Sequence, residues 1–245
     1  MNFLCIVPAR KNSIRVKNKN ILKINNKPLI EFTFDQIKKT KYLDKVIVST
    51  DSETIRKLSI KNNIDCPFLR PKNISTANSS SFSVIKHAYN FMKKYKKVDY
   101  KYIVLLQPTS PLRLPSQIDD ACRKILKNKN ADCLVSTCRL SNYVSKNLIM
   151  IKNKNYIKFV DIHKYNKIND IKNLKNIKNK LNYIDYIFDK CFIRNGPAII
   201  ISKTKNLNNF LLGGKILNFE MPLINSLDIN TKNDINYLNN LLKVK

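Results

Sequence analysis

Short, uninterrupted apolar runs stand at residues 3–7, 46–48, 102–106, 133–135 and 198–201, and segments of helical period lie between several of them. A short continuous apolar run is the pattern of a strand buried on both faces, whereas a half-exposed strand alternates. Strand and helix signals that take turns along a chain indicate an α/β fold with a parallel-dominated sheet and helices on both faces. The helical segments carry recognisable ends. Pro28 opens one, with Leu29, Phe32 and Ile37 on its inner side, where a proline suits a first turn. Residues 52–62 form the next, and residues 68–69 read as a short strand after it. Ser79 or Ser80 caps a long helix reaching about Tyr95, Ser116 caps another, and Thr231 caps the last. The rhythm fails between about 140 and 192. There residues 148–151 and 156–159 flank Lys152, Asn153, Lys154 and Asn155 as in a hairpin. This stretch reads as an excursion from a single domain spanning residues 1–245.

In an open α/β sheet, ligands sit beyond the carboxyl ends of the strands. Four groups of residues stand at such ends. After Pro8 the chain carries Arg10, Lys11, Arg15, Lys17 and Lys19 with no acid among them, a composition suited to phosphate. Asp51 and Asp228 each follow a strand, and two acids beside a cationic loop suit Mg²⁺ shared with a polyphosphate. A strand-terminal aspartate is equally a helix cap, and for Asp51 both readings stay open. The fourth group, Gln107-Pro108-Thr109-Ser110-Pro111-Leu112-Arg113, fixes its backbone with two prolines and offers amide and hydroxyl groups. It suits reading a base or a sugar edge, or it is a proline-stiffened turn before a helix.

Composition narrows the function classes. The net charge of +29 would ordinarily point to nucleic acid or an anionic membrane. Here the lysines are scattered through the whole chain with many Asn and Ile residues, which reads as compositional drift, so a nucleic-acid partner is not expected. Six cysteines, at 5, 66, 122, 133, 138 and 191, contain no C-x-x-C pair, and there are two histidines. Neither a zinc site nor a Cys/His nucleophile pair is expected. Cys5, Cys122 and Cys133 read as small core residues, and His87 as a packed side chain of its helix. No apolar run approaches the ~20 residues of a membrane span, and no charged segment precedes an apolar stretch near residue 1. The expected location is the cytoplasm, with no membrane partner.

Several landmarks together resemble one family. They are Val7-Pro8-Ala9-Arg10 with Asn12-Ser13 and Lys19-Asn20; Pro28-Leu29-Ile30; Val48-Ser49-Thr50-Asp51; Leu69-Arg70-Pro71; Leu106 and the following QPTSPLR; Ala131-Asp132; Arg194-Asn195-Gly196; and Ser226-Leu227-Asp228-Ile229. In that order, over nearly the whole chain, they resemble the CMP-acylneuraminate synthetases, the acylneuraminate cytidylyltransferases. The resemblance implies a Rossmann-like nucleotidyltransferase fold, with a mostly parallel central sheet flanked by helices. It places a small dimerisation insert at about 140–192 and implies a homodimer. The implied reaction joins CTP and a nonulosonic acid (sialic, legionaminic or pseudaminic) into a CMP-sugar with release of pyrophosphate. The implied catalytic residues are Arg10, Arg15 and Lys19. Nucleotide contacts would come from Arg10, Ser13, Asn20, Arg70, Ser81 and Gln107. The acid would meet Gln107, Thr109, Ser110, Arg194, Asn195 and Gly196, and Mg²⁺ would sit on Asp228 and Asn230.

The chain departs from the family pattern at particular positions. Ile14 stands where a lysine follows the loop serine, and Arg15 comes next. Relatives acting on the eight-carbon acid Kdo carry an arginine there, which keeps a CMP-Kdo-type synthetase open. Asn230 replaces the second carboxylate of a D-x-D pair, and an amide oxygen brings no charge to Mg²⁺. The family's acid before the long helix is missing around Ala77 and Asn78. These changes also leave open a relative that binds nucleotide without efficient turnover.

Overall fold

The computed structural model describes residues 2–13, 15–139, 149–153, 156–159 and 191–243. The first apolar run forms β1 (Phe3–Pro8), followed after a long loop by a two-strand ribbon, β2 (Lys23–Ile24) and β3 (Lys27–Pro28). Helix α1 (Leu29–Lys38) leads to β4 (Lys45–Ser49), α2 (Glu53–Lys61), α3 (Ser81–Lys96), β5 (Tyr102–Leu105), α4 (Pro115–Lys127) and β6 (Cys133–Arg139). The remaining elements are β7 (Ile149–Asn153), β8 (Tyr156–Phe159), β9 (Cys191–Arg194), β10 (Ile200–Lys203), β11 (Ile216–Glu220) and a final helix, α5 (Lys232–Lys243).

One sheet takes nine strands in the order β11-β8-β7-β9-β6-β10-β5-β1-β4, and β11 also pairs with β6. Its centre is parallel, β1 lying between β4 and β5. Beyond β5 the sheet is mixed: β10 enters antiparallel between β5 and β6, while β11 runs parallel to β6. The expected parallel sheet therefore holds for β4-β1-β5, and the 198–201 run supplies a strand of the opposite direction. Alternate residues of β1 feed two cores, as a pleated strand requires. Phe3, Cys5 and Val7 pack with Phe34, Ile55, Cys122 and Ile125 on the face covered by α1, α2 and α4. Leu4 and Ile6 pack with Ile85, Ala88 and Met92 of α3 on the other. Each fully buried Ile or Leu of this kind stabilises the fold by about 1.5–3 kcal/mol. A third cluster joins Val16 of the loop after β1 to Ile229, Ile235 and Leu238, which ties that loop to α5.

Local details follow and correct the sequence reading. Ser52 caps α2 and Ser80 caps α3 through the N–H groups of Ile55 and Ser83. At the start of α5 the Thr231 N–H donates to Asp234 Oδ2 and the Asp234 N–H donates to Thr231 Oγ1. Ser116 is not a cap: α4 begins at Pro115, and Gln117 Oε1 instead accepts the Leu114 N–H at 2.8 Å. Residues 68–69 make only an isolated bridge, Thr50 to Leu69. The hairpin is present as β7 and β8, paired from Met150–Phe159 to Asn153–Tyr156, and both strands join the main sheet. Residues 160–190 of the expected insert lie outside the described residues. Cys5, Cys122 and Cys133 are fully buried, and His87 packs edge-on against Phe68 with ring centroids 4.9 Å apart. No helix among the described residues is long and apolar enough to cross a membrane.

Candidate active site

The parallel strands β1, β4 and β5 end on the same side, where the loops after β1 and β5 and the chain between α2 and α3 enclose a cleft of about 310 Å³. The loop after β1 is held in shape by its own backbone. Ala9 N–H continues the ladder to Ser49, Lys11 N–H donates to Asp51 Oδ1 at 2.7 Å, and Asn20 Nδ2 donates back to the Arg10 carbonyl at 3.0 Å. Asn18 takes a left-handed conformation, φ 53°, to make the turn into residues 19–21. This folding brings Arg10, Ser13, Arg15, Lys19 and Asn20 to one wall of the cleft. Ile14 lies outside the described residues. Lys19 Nζ donates to the Ile229 carbonyl at 2.6 Å. Burial pulls its ammonium below the usual value, and the charge of Asp228 opposes that shift.

The second wall comes from the chain leading to α3 and from the start of that helix. Arg70 is almost fully buried and its N–H donates to the Thr50 carbonyl. Its Nη2 stands 3.7 Å from Asp51 Oδ1, an ion pair too long to be a hydrogen bond. Burial lowers the guanidinium pKa, Asp51 raises it, and Nε and Nη2 are left without hydrogen-bond partners. Asp51 is not the helix cap, a place Ser52 takes; its carboxylate anchors the cationic loop and faces Arg70. Arg10 Nη1 crosses the cleft to the Thr76 carbonyl at 3.0 Å. Ala77, Ser79 and Ser81 complete this side, at the N-terminal turn of α3. The loop after β5 supplies the floor through Gln107, Pro108 and Thr109. The charged residues lining the cleft, among those described, are Arg10, Arg15, Lys19 and Arg70, with no carboxylate.

Three expected contacts lie elsewhere. Ser110 is fully buried beneath the strand end and does not line the cleft. Asn195 is 5% exposed, and both ends of its amide are engaged: Oδ1 accepts from Ser136 Oγ at 2.7 Å and Nδ2 donates to Ser226 Oγ at 2.9 Å. Gly196 is a spacer. Strands β9 and β10 are successive antiparallel partners of β6, Arg194 opposite Thr137 and Ile200 opposite Val135, so residues 195–199 bulge out between them. Gly196 turns that bulge with φ 61°, and a Cβ there would fall 2.8 Å from Asp228 Cγ and Oδ2. Arg113, the last residue of the proline-rich segment, is also internal. It donates to the Ala198 carbonyl at 2.5 Å, Thr33 Oγ1 at 3.2 Å and Gln36 Oε1 at 2.8 Å.

The space Gly196 leaves is filled by the Asp228 carboxylate. Its Oδ2 accepts from Asn230 Nδ2 at 2.8 Å, while its Oδ1 is buried with no partner. Asn230 itself lines the cleft. The described residues contain no cluster of three His, Cys, Asp or Glu side chains able to hold a metal. Mg²⁺ does not need one, because it takes one or two carboxylates and completes its shell with water and phosphate oxygens. An orphaned carboxylate oxygen beside a cationic cleft fits that requirement. Arg194 also feels this carboxylate: burial lowers its pKa and Asp228 raises it. It lines a second cavity that adjoins the cleft at Ser81. The walls of that cavity include Phe82, Phe210, Leu211 and Leu212, which the sequence reading missed. Their signal was an apolar triplet followed by Gly213-Gly214 that belonged to no strand or helix pattern.

Comparison with known proteins agrees with this geometry. A family model described as cytidylyltransferase matches residues 4–195. The chain is 34% identical over 166 residues to an N-acylneuraminate cytidylyltransferase of Escherichia coli, an alignment covering 67% of this chain and 38% of that protein. It is 31% identical over 137 residues to a pseudaminic acid cytidylyltransferase of Campylobacter jejuni, covering 56% of this chain and 59% of that one. The matched chain thus spans less than two thirds of the length of these relatives. A solved structure of CMP:2-keto-3-deoxy-manno-octonic acid synthetase complexed with CTP superposes with a TM-score of 0.71 over 100% of this chain and 99% of that one. At 14% identity it establishes the shared fold.

Proposed function

The chain belongs to the cytidylyltransferase family, and we propose that it activates a nonulosonic acid, converting CTP and the acid into a CMP-sugar and pyrophosphate. The observation that carries this reading is the cleft itself: among the described residues, four cationic side chains and no carboxylate line it, at the carboxyl ends of parallel strands. Such a site neutralises a triphosphate and the charge that accumulates on leaving pyrophosphate. In this reading Arg10, Arg15 and Lys19 hold the phosphates, assisted by Ser13 and Asn20. Arg70, Ser81 and Gln107 meet the nucleoside. Thr109 stands with Gln107 toward the acid, and Arg194 takes its carboxylate. The anomeric hydroxyl oxygen bonds to the α-phosphorus and gives up its proton to water, while the bond to the bridging oxygen breaks and pyrophosphate leaves with that electron pair. Positioning of the two reactants supplies much of the acceleration.

Asp228, with Asn230 beside it, would hold Mg²⁺, which supplies further charge neutralisation at the phosphates. We infer also that a second copy of the chain pairs through residues within 140–192, and that the protein works in the cytoplasm. One observation favours a second reading, a nucleotide binder without efficient turnover. The Asn230 amide donates to Asp228 where a second carboxylate would have added charge for the metal. The experiment that separates them is pyrophosphate release from CTP in the presence of Mg²⁺ and a nonulosonic acid, with UTP as control. Release that requires both the acid and the cytosine base supports the enzyme. A folded protein that binds CTP and releases none of it supports the binder.

A further inference from the structure

The cavity beside the cationic cleft has a volume of about 490 Å³ and shares Ser81 with it. A molecule reacting at the cleft can therefore extend directly into it. The lining is unequal in character. Phe82, Leu105, Ile200, Phe210, Leu211 and Leu212 form apolar walls, and Arg194 is the one charged residue among the described lining. No carboxylate stands within 4.0 Å of the Arg194 guanidinium among the described residues. Among the described residues, the neutral polar lining consists of Ser80, Ser81 and Asn209. Ser80 Oγ is already committed, accepting the Ser83 N–H at 3.0 Å and donating to Ser83 Oγ at 3.2 Å. Ser81 and Asn209 remain to serve a ligand.

That inventory discriminates between substituents on a sugar acid. A trihydroxypropyl tail brings three hydroxyls and no methyl, so it offers nothing to the Phe and Leu walls and loses water against them. A hydroxyl desolvated without a partner costs about 1–3 kcal/mol. A chain ending in a methyl keeps one hydroxyl in place of three, and its methyl gains about 0.8 kcal/mol for the carbon buried. An acylamino group adds a further methyl for the Phe and Leu walls, and brings one N–H and one C=O for Ser81, Asn209 or water to meet.

We propose that Phe82, Phe210, Leu211 and Leu212 make this chain select nonulosonic acids whose far end is deoxygenated and acylamino-substituted over those ending in a trihydroxypropyl chain. The proposal rests on the reading of the cleft as a cytidylyltransferase site. Arg194 pairs with the carboxylate common to all these acids, and the apolar walls sort them. Pseudaminic and N,N′-diacetyllegionaminic acids have the selected chemistry, and N-acetylneuraminic acid has the rejected one.

The test compares kcat/KM for these three acids at saturating CTP and Mg²⁺. The deoxygenated acids should exceed N-acetylneuraminic acid by about tenfold or more, the scale on which an apolar pocket discriminates. Phe82→Gln and Leu212→Gln, both at half-buried positions, should each reduce that ratio at least about threefold. Equal or better use of N-acetylneuraminic acid overturns the proposal, as does an unchanged ratio in both variants. If no acid is turned over, the enzymatic reading fails on its own, and saturation-transfer NMR of each acid with the CTP-loaded protein decides the selectivity. Saturation of the methyl signals of the deoxygenated acids, with N-acetylneuraminic acid weaker, supports it. No binding, or the reverse order, overturns it.

Discussion

Replacing Gly196 by alanine should injure the fold and the metal site together. Gly196 has φ 61°, a region that costs a residue with a Cβ about 1–2 kcal/mol. The new methyl would also fall 2.8 Å from Asp228 Cγ and Oδ2, so the carboxylate must move. A total near 2 kcal/mol corresponds in a chain of this size to a Tm lower by about 4–8 °C. Gly214→Ala is the matched control, since Gly214 has φ 64° and its Cβ would collide with the Asp132 carboxylate. Asp132 serves a loop, accepting the Lys215 N–H at 2.9 Å, and does not line the cleft. Both variants should lose comparable stability by calorimetry. Only Gly196→Ala should raise, several-fold, the Mg²⁺ concentration giving half-maximal pyrophosphate release. Wild-type Tm and Mg²⁺ dependence in Gly196→Ala would refute the placement of Asp228 against that glycine.

Other substitutions probe the structure beneath the site. Arg113→Met leaves the Ala198, Thr33 and Gln36 acceptors without their donor and should lower stability by about 3 kcal/mol in urea titration; a loss under about 1 kcal/mol would contradict its role. Burial, and then the charge of Arg70, hold the His87 pKa below its ordinary value. The unfolded chain therefore takes up this proton first as pH falls, and stability is lost progressively below about pH 6.5. His87→Gln should flatten the urea midpoint between pH 7.5 and 5.5, and an undiminished slope would dismiss the residue as its source. Burial raises the Cys5 thiol to about 12 and those of Cys66 and Cys133 to about 11. Brief alkylation at pH 8 followed by peptide mass spectrometry should find these three unmodified until denaturant is added.

Much of the fold could be read from apolar runs and capping residues, and the limits of that reading have physical causes. Residues 3–7 identify β1 because a strand buried on both faces needs an unbroken apolar run. Residues 198–201 look the same, yet β10 is antiparallel, because two-sided burial says nothing of direction. Ser116 is a good cap residue by type, but Gln117 reaches the Leu114 N–H from within the helix and Pro115 occupies its first position. In the site, the cations after β1 were legible from charge and strand position. Arg113 and Asn195 carry equally polar side chains that turn inward, where a backbone carbonyl, an amide and hydroxyls take most of their hydrogen bonds and only Arg113 Nε is left over. The apolar cavity was invisible for the converse reason: Phe210 and Leu212 belong to no periodic pattern, and only the fold sets them beside Phe82.

The most direct measurement is a ³¹P NMR time course of the protein with CTP, Mg²⁺ and pseudaminic acid. The three CTP signals should decline together as one phosphodiester resonance and pyrophosphate grow in equal amounts, and Arg10→Ala should slow that growth at least about a hundredfold. Release of orthophosphate with CDP, or equal rates in Arg10→Ala, would contradict nucleotidyl transfer at the cationic cleft.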